Sequence, residues 1–253
     1  GDMDFANRFS ANDSVRVSFV GCTFEGDVDE SGAGKGRGFQ AQGTVDLLIE
    51  ECTFRTFWKA MGVGGTNLVI RANDISRIRS DGINTGRCKN LLIELNYIHD
   101  FGTTEGAKDH RDMIQLMGEA TGVLIRDNFL DMNEGLYAQS LWSDNKNLMS
   151  EVEITNNLIL NAHSNGIAMS NMRNVAVTTN VMASVPREET GGIAIPKVNV
   201  WAWEDGSLDV SGNTVPGIIN PKGVEDENTI EDGDDVALRM AARQDPRWAR
   251  FFA

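Results

Sequence analysis

Leu68-Val-Ile-Arg-Ala-Asn73-Asp-Ile75 is one of six segments in which a short alternating apolar run ends in an asparagine. The six asparagines are Asn73, Asn96, Asn128, Asn157, Asn180 and Asn213. Two earlier segments carry cysteine in the same place, Cys22-Thr-Phe24 and Cys52-Thr-Phe54. The successive intervals from Cys22 are 30, 21, 23, 32, 29, 23 and 33 residues. A period in the twenties, lengthened by insertions, is typical of a solenoid.

A second apolar run follows each of these positions after about ten residues. The runs begin at Gly38, Ala60, Gly82, Met113, Gly135, Gly166 and Gly192. Their alternation predicts short strands with one buried face, which neighbouring coils must cover. We therefore predict an all-β, parallel β-helix solenoid of about eight coils. The asparagines and the two cysteines would stack at one bend as an Asn/Cys ladder.

This repeat resembles the right-handed parallel β-helix of the pectin-lyase-like superfamily, over roughly residues 15–218. The resemblance implies a right-handed coil. It implies little about activity, because folds of this kind host many unrelated functions.

The repeat boundaries predict three regions. Residues 1–14 would form an N-terminal cap or linker, 15–220 the β-helix, and 221–253 an acidic linker with a short helical C-terminal cap or docking tail. The ends of a solenoid expose unpaired strand edges, so some cover is expected at each end.

The C-terminal region carries helix signals. Asp234 and Asp235 suit a helix start, and Asp245-Pro246 suits the start of a second short helix. Trp248, Phe251 and Phe252 would then share one apolar face. Two interpretations stay open: residues 234–253 cap the last coil, or they dock onto another chain, for example in a homotrimer.

The composition excludes some partners. The formal net charge is −14, and the chain has no basic stripe with which to neutralise nucleic-acid phosphates. No apolar stretch is long enough to predict a membrane span. Cys22 and Cys52 are expected to be ladder residues rather than a disulfide, and Cys88 to lie free in a turn. The acidic surface is typical of a secreted, extracellular or virion-surface protein.

Alignment of the coils on the second run predicts two polar rows. The first reads Arg37, Lys59, Asp81, Asp112, Glu134 and Asn165. The second reads Gln40, Gly62, Asn84, Gln115, Tyr137, Ala168 and Ala194. Because neighbouring strands lie about 4.8 Å apart, three carboxylates (Asp81, Asp112 and Glu134) would be adjacent. They would raise one another's pKa or hold a Ca²⁺ ion.

Such a row fits several reactions on polysaccharides. Carboxylates about 5 Å apart suit a retaining glycosidase, and a wider pair suits an inverting one. A Ca²⁺ ion could instead bind a uronate carboxylate, with Lys59 or an arginine such as Arg111 as the base. The alternative is a solvated polar face without chemistry.

The string Lys108-Asp-His-Arg-Asp112-Met-Ile-Gln115 resembles one found in secreted bacterial β-helix proteins, including relatives of alginate epimerases. It follows a long loop, 100–107, which would overhang the face. His163 occupies the position equivalent to His110 two coils later, about 10 Å away. Each histidine is expected either to take part in catalysis or to stabilise a turn.

The layout also resembles polygalacturonase-type glycosidases, but only loosely. Asp112 and Glu134 match that family's acids in kind, whereas the histidine is displaced and the Arg-Ile-Lys motif is broken at Ala194-Ile-Pro-Lys197. Trp142, Trp201 and Trp203 are expected either to stack on sugar rings or to pack against other side chains of the protein.

We therefore predict a carbohydrate-active β-helix that binds an acidic or cell-surface polysaccharide, as a lyase, a C5-epimerase or a glycoside hydrolase. The candidate catalytic residues are Asp112, Glu134, Asp81, His110, Lys59 and Arg111. The candidate substrate-binding residues are Asn84, Gln115, Tyr137, Gln139 and His163. The alternative is a non-catalytic glycan-binding spike or fibre of a phage or gene-transfer agent.

Overall fold

The computed structural model describes residues 9–102, 109–144, 146–186, 194–203, 205–219 and 227–253. Within these ranges the chain winds through two parallel sheets. The first sheet contains β1 (Phe9–Ser10), β2 (Val15–Val20), β4 (Arg37–Glu50), β6 (Lys59–Arg71), β8 (Asp81–Glu94), β10 (Asp112–Leu116), β11 (Ala120–Arg126), β13 (Gln139–Ser143), β14 (Met149–Thr155), β16 (Asn165–Thr178), β18 (Lys197–Ala202) and β19 (Leu208–Ser211). The second contains β3 (Thr23–Glu25), β5 (Thr53–Arg55), β7 (Asp74–Ser76), β9 (Tyr97–His99), β12 (Phe129–Asp131), β15 (Leu158–Asn161), β17 (Val181–Ser184), β20 (Thr214–Val215) and β21 (Thr229–Ile230).

Each coil has three strand segments, which confirms the predicted parallel β-helix. The first and second segments belong to the first sheet and meet at a bend, where the strand register shifts. Gly65 lies at this bend with φ +143°, and a Cβ there would lie 1.9 Å from the Thr44 carbonyl oxygen. Only glycine allows two successive coils to approach so closely. The third segment belongs to the second sheet and follows the ladder residue.

The asparagine ladder is confirmed in detail. The backbone N–H and the side-chain Nδ2 of Asn96 both donate to Asn128 Oδ1, at 3.1 and 2.9 Å. The same pair of bonds joins each ladder asparagine to the next one. Asn228, which the sequence analysis missed, accepts both bonds from Asn213. All six predicted asparagines are buried, so the ladder satisfies polar groups that water cannot reach.

A left-handed residue precedes each of the eight predicted ladder positions. Ala72, Leu95 and Asp127 have φ values of +64°, +57° and +55°. This conformation is unfavourable for residues other than glycine, and it persists only where the surrounding structure enforces it. The ladder bonds supply that enforcement at each turn.

Columns of aliphatic side chains fill the core. One column pairs equivalent positions of the second segment along the solenoid: Ile49, Ile70, Ile93, Ile125, Ile154, Val177 and Val210. These side chains are buried, and each contributes about 1.5–3 kcal/mol to folding. Stacked phenylalanines fill the N-terminal end, with the Phe24 and Phe54 rings 4.5 Å apart. Strand β1 already pairs with β4, so residues 9–14 are part of the solenoid.

The cysteines are free thiols. Cys52 occupies the ladder position and its N–H donates to Asn73 Oδ1 at 2.9 Å. Cys22 is half-buried in the equivalent position of the preceding coil. Cys88 does not lie in a turn as predicted: it is buried within β8, next to the bend.

The C-terminal region contains helix α1 (Asp235–Gln244) and a 3₁₀ helix (Ala249–Phe252). Asp234 is the N-cap of α1, as predicted, and its carboxylate accepts bonds from the N–H groups of Val236 and Ala237. No helix in the described ranges has the length and apolar character needed to cross a membrane.

Residues 227–253, here called the C-terminal strap, pack along the side of the solenoid. Arg239 forms two bonds with the buried Asp131 carboxylate, at 2.7 and 2.9 Å. Trp248 is buried against Phe129, and its indole N–H donates to the Asp127 carbonyl oxygen at 2.8 Å. The strap begins at the last coil, where β21 pairs with β20, and next contacts Ser184, whose N–H donates to Asp232.

The strap ends near the opposite end of the solenoid. Arg250 bonds to the Ala72 carbonyl oxygen and to Glu51 at 3.2 Å, and Phe251 and Phe252 pack on Tyr97. The predicted cap on the last coil is therefore wrong in placement, because the aromatic face follows the second sheet backwards across several coils. Docking of residues 234–253 onto another chain stays a prediction.

Candidate functional site

Strand register places one polar row on the first segments: Arg37, Lys59, Asp81, Asp112, Gln139, Asn165 and Lys197. The neighbouring row reads Gln40, Gly62, Asn84, Gln115, Trp142, Ala168 and Asn199. The predicted positions of Glu134, Tyr137 and Ala194 in these rows are wrong. Gln139, Trp142 and Asn199 occupy them instead.

The error came from the coil that contains Glu134. Gly135-Leu-Tyr137 imitates the apolar alternation of the other first segments, but residues 132–138 form a turn and an irregular approach to β13. The first two residues of the run expected at Gly192 lie outside the described residues, Ala194 and Ile195 do not belong to a strand, and β18 supplies the row. A usable signal existed: the other row residues precede the next ladder position by 14 to 18 residues, whereas Glu134 precedes Asn157 by 23.

Lys59 and Asp81 form the first half of the site. The Lys59 ammonium bonds to Asp81 Oδ2, which also accepts from Asn84 Nδ2 at 2.9 Å. Ser80 Oγ donates to the other carboxylate oxygen of Asp81 at 2.9 Å. The Lys59 ammonium also lies 5.0 Å from the centre of the Trp58 ring. Asp81 is thus a fixed, fully paired carboxylate.

Asp112 and His110 form the second half. Asp112 Oδ2 contacts His110 Nδ1 at 2.8 Å and accepts a bond from Gln115 Nε2 at 2.7 Å. The Asp112 side chain is completely buried, whereas 59% of the His110 side chain is exposed. Asp112 Oδ1 is buried without a hydrogen-bond partner among the described residues. A buried carboxylate therefore supports a histidine at the surface.

Gln139 sets the protonation pattern of His110. Gln139 Nε2 lies 2.7 Å from His110 Nε2. If the amide donates there, the neutral imidazole carries its hydrogen on Nδ1 and donates it to Asp112. Gln139 Oε1 in turn accepts from Asn165, which fixes the orientation of the amide.

The environment of Asp112 changes its ionisation. Burial, together with the nearby Asp81 charge, raises the pKa of Asp112 to about 7, and His110 opposes this rise. Burial excludes the water that would solvate the charged form. A carboxyl group with such a pKa can exchange protons near neutral pH.

Aromatic and basic groups border the dyad. The Trp142 ring lies 5.7 Å from the His110 ring. Tyr137 stacks on His163 at 5.6 Å, and the Arg111 guanidinium lies 5.9 Å from the Tyr137 ring. Burial lowers the pKa of Arg111 and, together with the His110 charge, that of His163. His163 Nδ1 accepts from the Asn165 N–H at 3.0 Å, the contact of a turn-stabilising histidine.

A groove of about 280 Å³ lies beside this cluster. Arg37, Gln40, Gln42, Lys59, Asn84 and Gln115 contribute to its lining. It has two basic side chains and four amides, and no carboxylate. In a chain with a formal net charge of −14, a groove with this lining is chemically suited to anionic and hydroxyl groups.

The predicted calcium ligands are not brought together. Asp81 and Asp112 are neighbours, but Glu134 lies off the row, where its N–H donates to Asp100 Oδ1 at 2.9 Å. Within the described ranges, no three or more His, Cys, Asp or Glu side chains are arranged to hold a metal ion.

Ion pairs hold the segment that leads to His110. Arg79 contacts Asp109 at 2.7 Å and Asp29 at 3.3 Å, which links two insertions beside the row. Most of the loop 100–107, expected to overhang the site, lies in 103–108, outside the described residues. The ion pair of Asp109 with Arg79 therefore holds the segment next to His110.

The family model described as "Right handed beta helix region" matches residues 7–215. The chain belongs to the right-handed β-helix family. No curated protein matches its sequence.

Two solved structures are similar to this right-handed β-helix protein. The Dettilon tailspike protein (gp208) has 17% sequence identity and a TM-score of 0.53, over 81% of this chain and 43% of the tailspike chain. An alginate lyase from Paenibacillus sp. str. FPU-7 has 13% identity and a TM-score of 0.37, over 84% of this chain and 78% of the lyase chain. The first likeness shows the fold alone, and this chain spans less than half of that tailspike.

Proposed function

We propose that this protein binds an acidic polysaccharide along its first segments and transfers a proton at the His110–Asp112 dyad. The observation that carries the proposal is the buried Asp112 carboxyl group, whose pKa is raised to about 7 and which contacts an exposed histidine. Such pairs are typical of general acid–base catalysis. Arg37 and Lys59 would attract the carboxylate of a uronate residue.

In the proposed reaction, His110 Nε2 leaves Gln139 and accepts the proton at C5 of a uronate. Ionised Asp112 holds the imidazole and stabilises the imidazolium that forms. For a lyase, the C5–H electron pair becomes the C4–C5 double bond, the C4–O bond breaks, and the leaving oxygen takes a proton from solvent. For an epimerase, a proton returns to the opposite face of C5. Asp81 is held by Lys59 and Asn84, which favours these two reactions over glycoside hydrolysis.

The test uses the purified protein with alginate, polygalacturonate and other uronate polymers. Ultraviolet absorbance of the unsaturated product, reducing ends and proton NMR of C5 distinguish elimination, hydrolysis and epimerisation. His110→Ala and Asp112→Asn should each lower the rate about a hundredfold or more. Glu153→Gln, on the outer face of the second segments, is the matched control. Activity of Asp112→Asn at the parent rate would overturn the proposed dyad.

Calcium binding stays a prediction, now restricted to Asp81 and Asp112. The Lys59 ammonium already occupies Asp81, and its charge opposes a second cation there. We therefore expect activity to survive treatment with a chelator. Loss of activity with EDTA and recovery with Ca²⁺ would assign the ion a role.

A second candidate function is a non-catalytic glycan-binding spike or fibre at the virion surface. The fold likeness to a tailspike supports it. On α1, Val236 and Met240 are 58% and 60% exposed, so this face of the strap is available to another chain. Sedimentation of a trimer, glycan binding and no product from any polymer would together favour the spike over the enzyme.

A further inference from the structure

Two exposed tryptophans lie at the far end of the polar row. Trp201 is 54% exposed and its indole N–H donates to Asn199 Oδ1 at 2.7 Å. Trp203 is 49% exposed and its indole N–H donates to Asn171 Oδ1 at 2.5 Å. Each ring is thus oriented by an amide at its polar edge, while about half of its surface faces solvent.

These rings lie on the same side of the molecule as the dyad. Asn199 pairs with Ala168 in the second polar row, and Ala168 pairs with Trp142. From Asp112 to Lys197 the row advances three coils, or about 14 Å along the solenoid axis. The small side chain of Ala168 keeps the surface low between Trp142 and Asn199, so a chain can lie along it.

The distribution of tryptophan supports a binding role. The chain has five tryptophans. Trp248 is buried under the strap, as an ordinary packing residue is. Trp58, Trp142, Trp201 and Trp203 follow the first-segment face from the cationic groove to β18. Large aromatic rings exposed next to one another are unfavourable in water and typical of binding surfaces.

We infer that Trp201 and Trp203 form a distal subsite that stacks on uncharged faces of pyranose rings in the polysaccharide held at the dyad. The inference rests on the proposed function. The π face of an indole is electron-rich and matches the C–H groups on one face of a sugar ring. Arg173, on the neighbouring strand β16, is paired with Asp205 at 2.8 Å, and the exposed surface at this end consists of two indole faces, which suit a ring face rather than a carboxylate. The bound chain therefore runs parallel to the solenoid axis, with its charged residues nearer Lys59.

The experiment compares glycan lengths. Binding of disaccharide, tetrasaccharide and octasaccharide fragments of alginate and polygalacturonate is measured by calorimetry for the parent and for the Trp201→Ala/Trp203→Ala variant. We expect the affinity ratio between parent and variant to rise with length, reaching about tenfold for the octasaccharide, equivalent to about 1.4 kcal/mol. Trp201→Phe/Trp203→Phe should recover part of the loss. Met240→Ala, an equally exposed residue on the strap, is the matched control.

The outcomes separate this inference from the proposed function. Equal octasaccharide affinity of parent and double-alanine variant, with product formed by the parent, overturns the subsite and leaves the dyad standing. A length-dependent loss without any product from the parent supports the subsite and overturns the proton-transfer chemistry. Absence of binding by the parent to every fragment overturns both. Circular dichroism and thermal unfolding of each variant show that a loss of binding is not a loss of fold.

Discussion

Two rows of polar side chains cross the coils, and they differ in composition and in how completely their atoms are paired. The ladder repeats asparagine, and each amide bonds to the next in the same way. The site row changes from a cation to two carboxylates and then to amides. Asp112 Oδ1 has no partner among the described residues. A uniform, satisfied row stabilises every coil, whereas a changing row with an unpaired buried atom is typical of function.

The largest effect should follow from breaking the ladder at its middle. Asn128→Ala removes the acceptor for two bonds from Asn96 and the donors to Ile93, Arg126 and Asn157. Because several buried polar groups lose their partners together, we expect the free energy of unfolding to fall by about 3–5 kcal/mol. Urea unfolding measures the change. Glu153→Gln, at an exposed position of β14, should cost less than about 0.5 kcal/mol; similar losses for both would contradict the comparison.

In the site row, a substitution should raise the stability of the protein rather than lower it. The ordinary pKa of aspartate is about 3.9, and that of folded Asp112 is about 7. Between these values the folded state keeps a proton that the unfolded state releases, so stability falls as pH rises through this window. Asp112→Asn should therefore match the parent near pH 4 and exceed it above pH 7, by up to about 4 kcal/mol. Thermal unfolding across pH tests this, and a variant less stable than the parent at pH 8 would refute it.

These two substitutions also show how far the sequence could predict the structure. The ladder follows from spacing alone, because every coil repeats the same turn chemistry. The site row could be predicted only in coils where the first segment lies at the usual sequence distance from the next ladder position. Asp81 and Asp112 were therefore placed correctly beside each other, whereas Glu134 was not. Gln139 was foreseen as a binding residue, but its position against His110 required the register of β13.

The strap could not be predicted from local patterns. Asp131 and Arg239 are 108 residues apart, and Trp248 bonds to a residue 121 positions earlier. The helix itself follows from Asp234 and the apolar spacing. Its docking surface depends on Tyr97 and Phe129, which the repeat pattern identifies only as members of strands.

A smaller effect is expected in the site row, on the pH dependence of activity, when the hydrogen bond from Gln115 to Asp112 is removed. Gln115→Leu removes a donor that stabilises the charged carboxylate, so the pKa of Asp112 should rise further. If ionised Asp112 orients His110, the acid limb of the pH–rate profile should shift to higher pH by about one unit. Rate measurements against pH test this. Gln40→Leu, three coils away in the same row, should leave the limb in place, and an equal shift in both variants would contradict a local cause.

The smallest effect should come from extending the ladder. Cys52 Sγ contacts the Phe19 and Glu50 carbonyl oxygens at 3.5 and 3.2 Å, in the positions where ladder amides donate. Cys52→Asn would place an amide there and add a bond to Asn73 Oδ1. We expect a gain of about 0.5–1 kcal/mol in urea unfolding. Cys52→Ser, with a hydroxyl group too short to reach Asn73, serves as the control and should give no gain.

The strap changes which coils of this solenoid depend on one another. In a simple repeat protein each coil contacts only its neighbours, so folding spreads stepwise from the first coils to leave the ribosome. Here Glu51 and Ala72, in two of those early coils, accept bonds from Arg250, which follows them in the sequence by 199 and 178 residues. The strap therefore adds contacts between coils that are distant in sequence, so the stability of this solenoid does not depend on neighbouring coils alone.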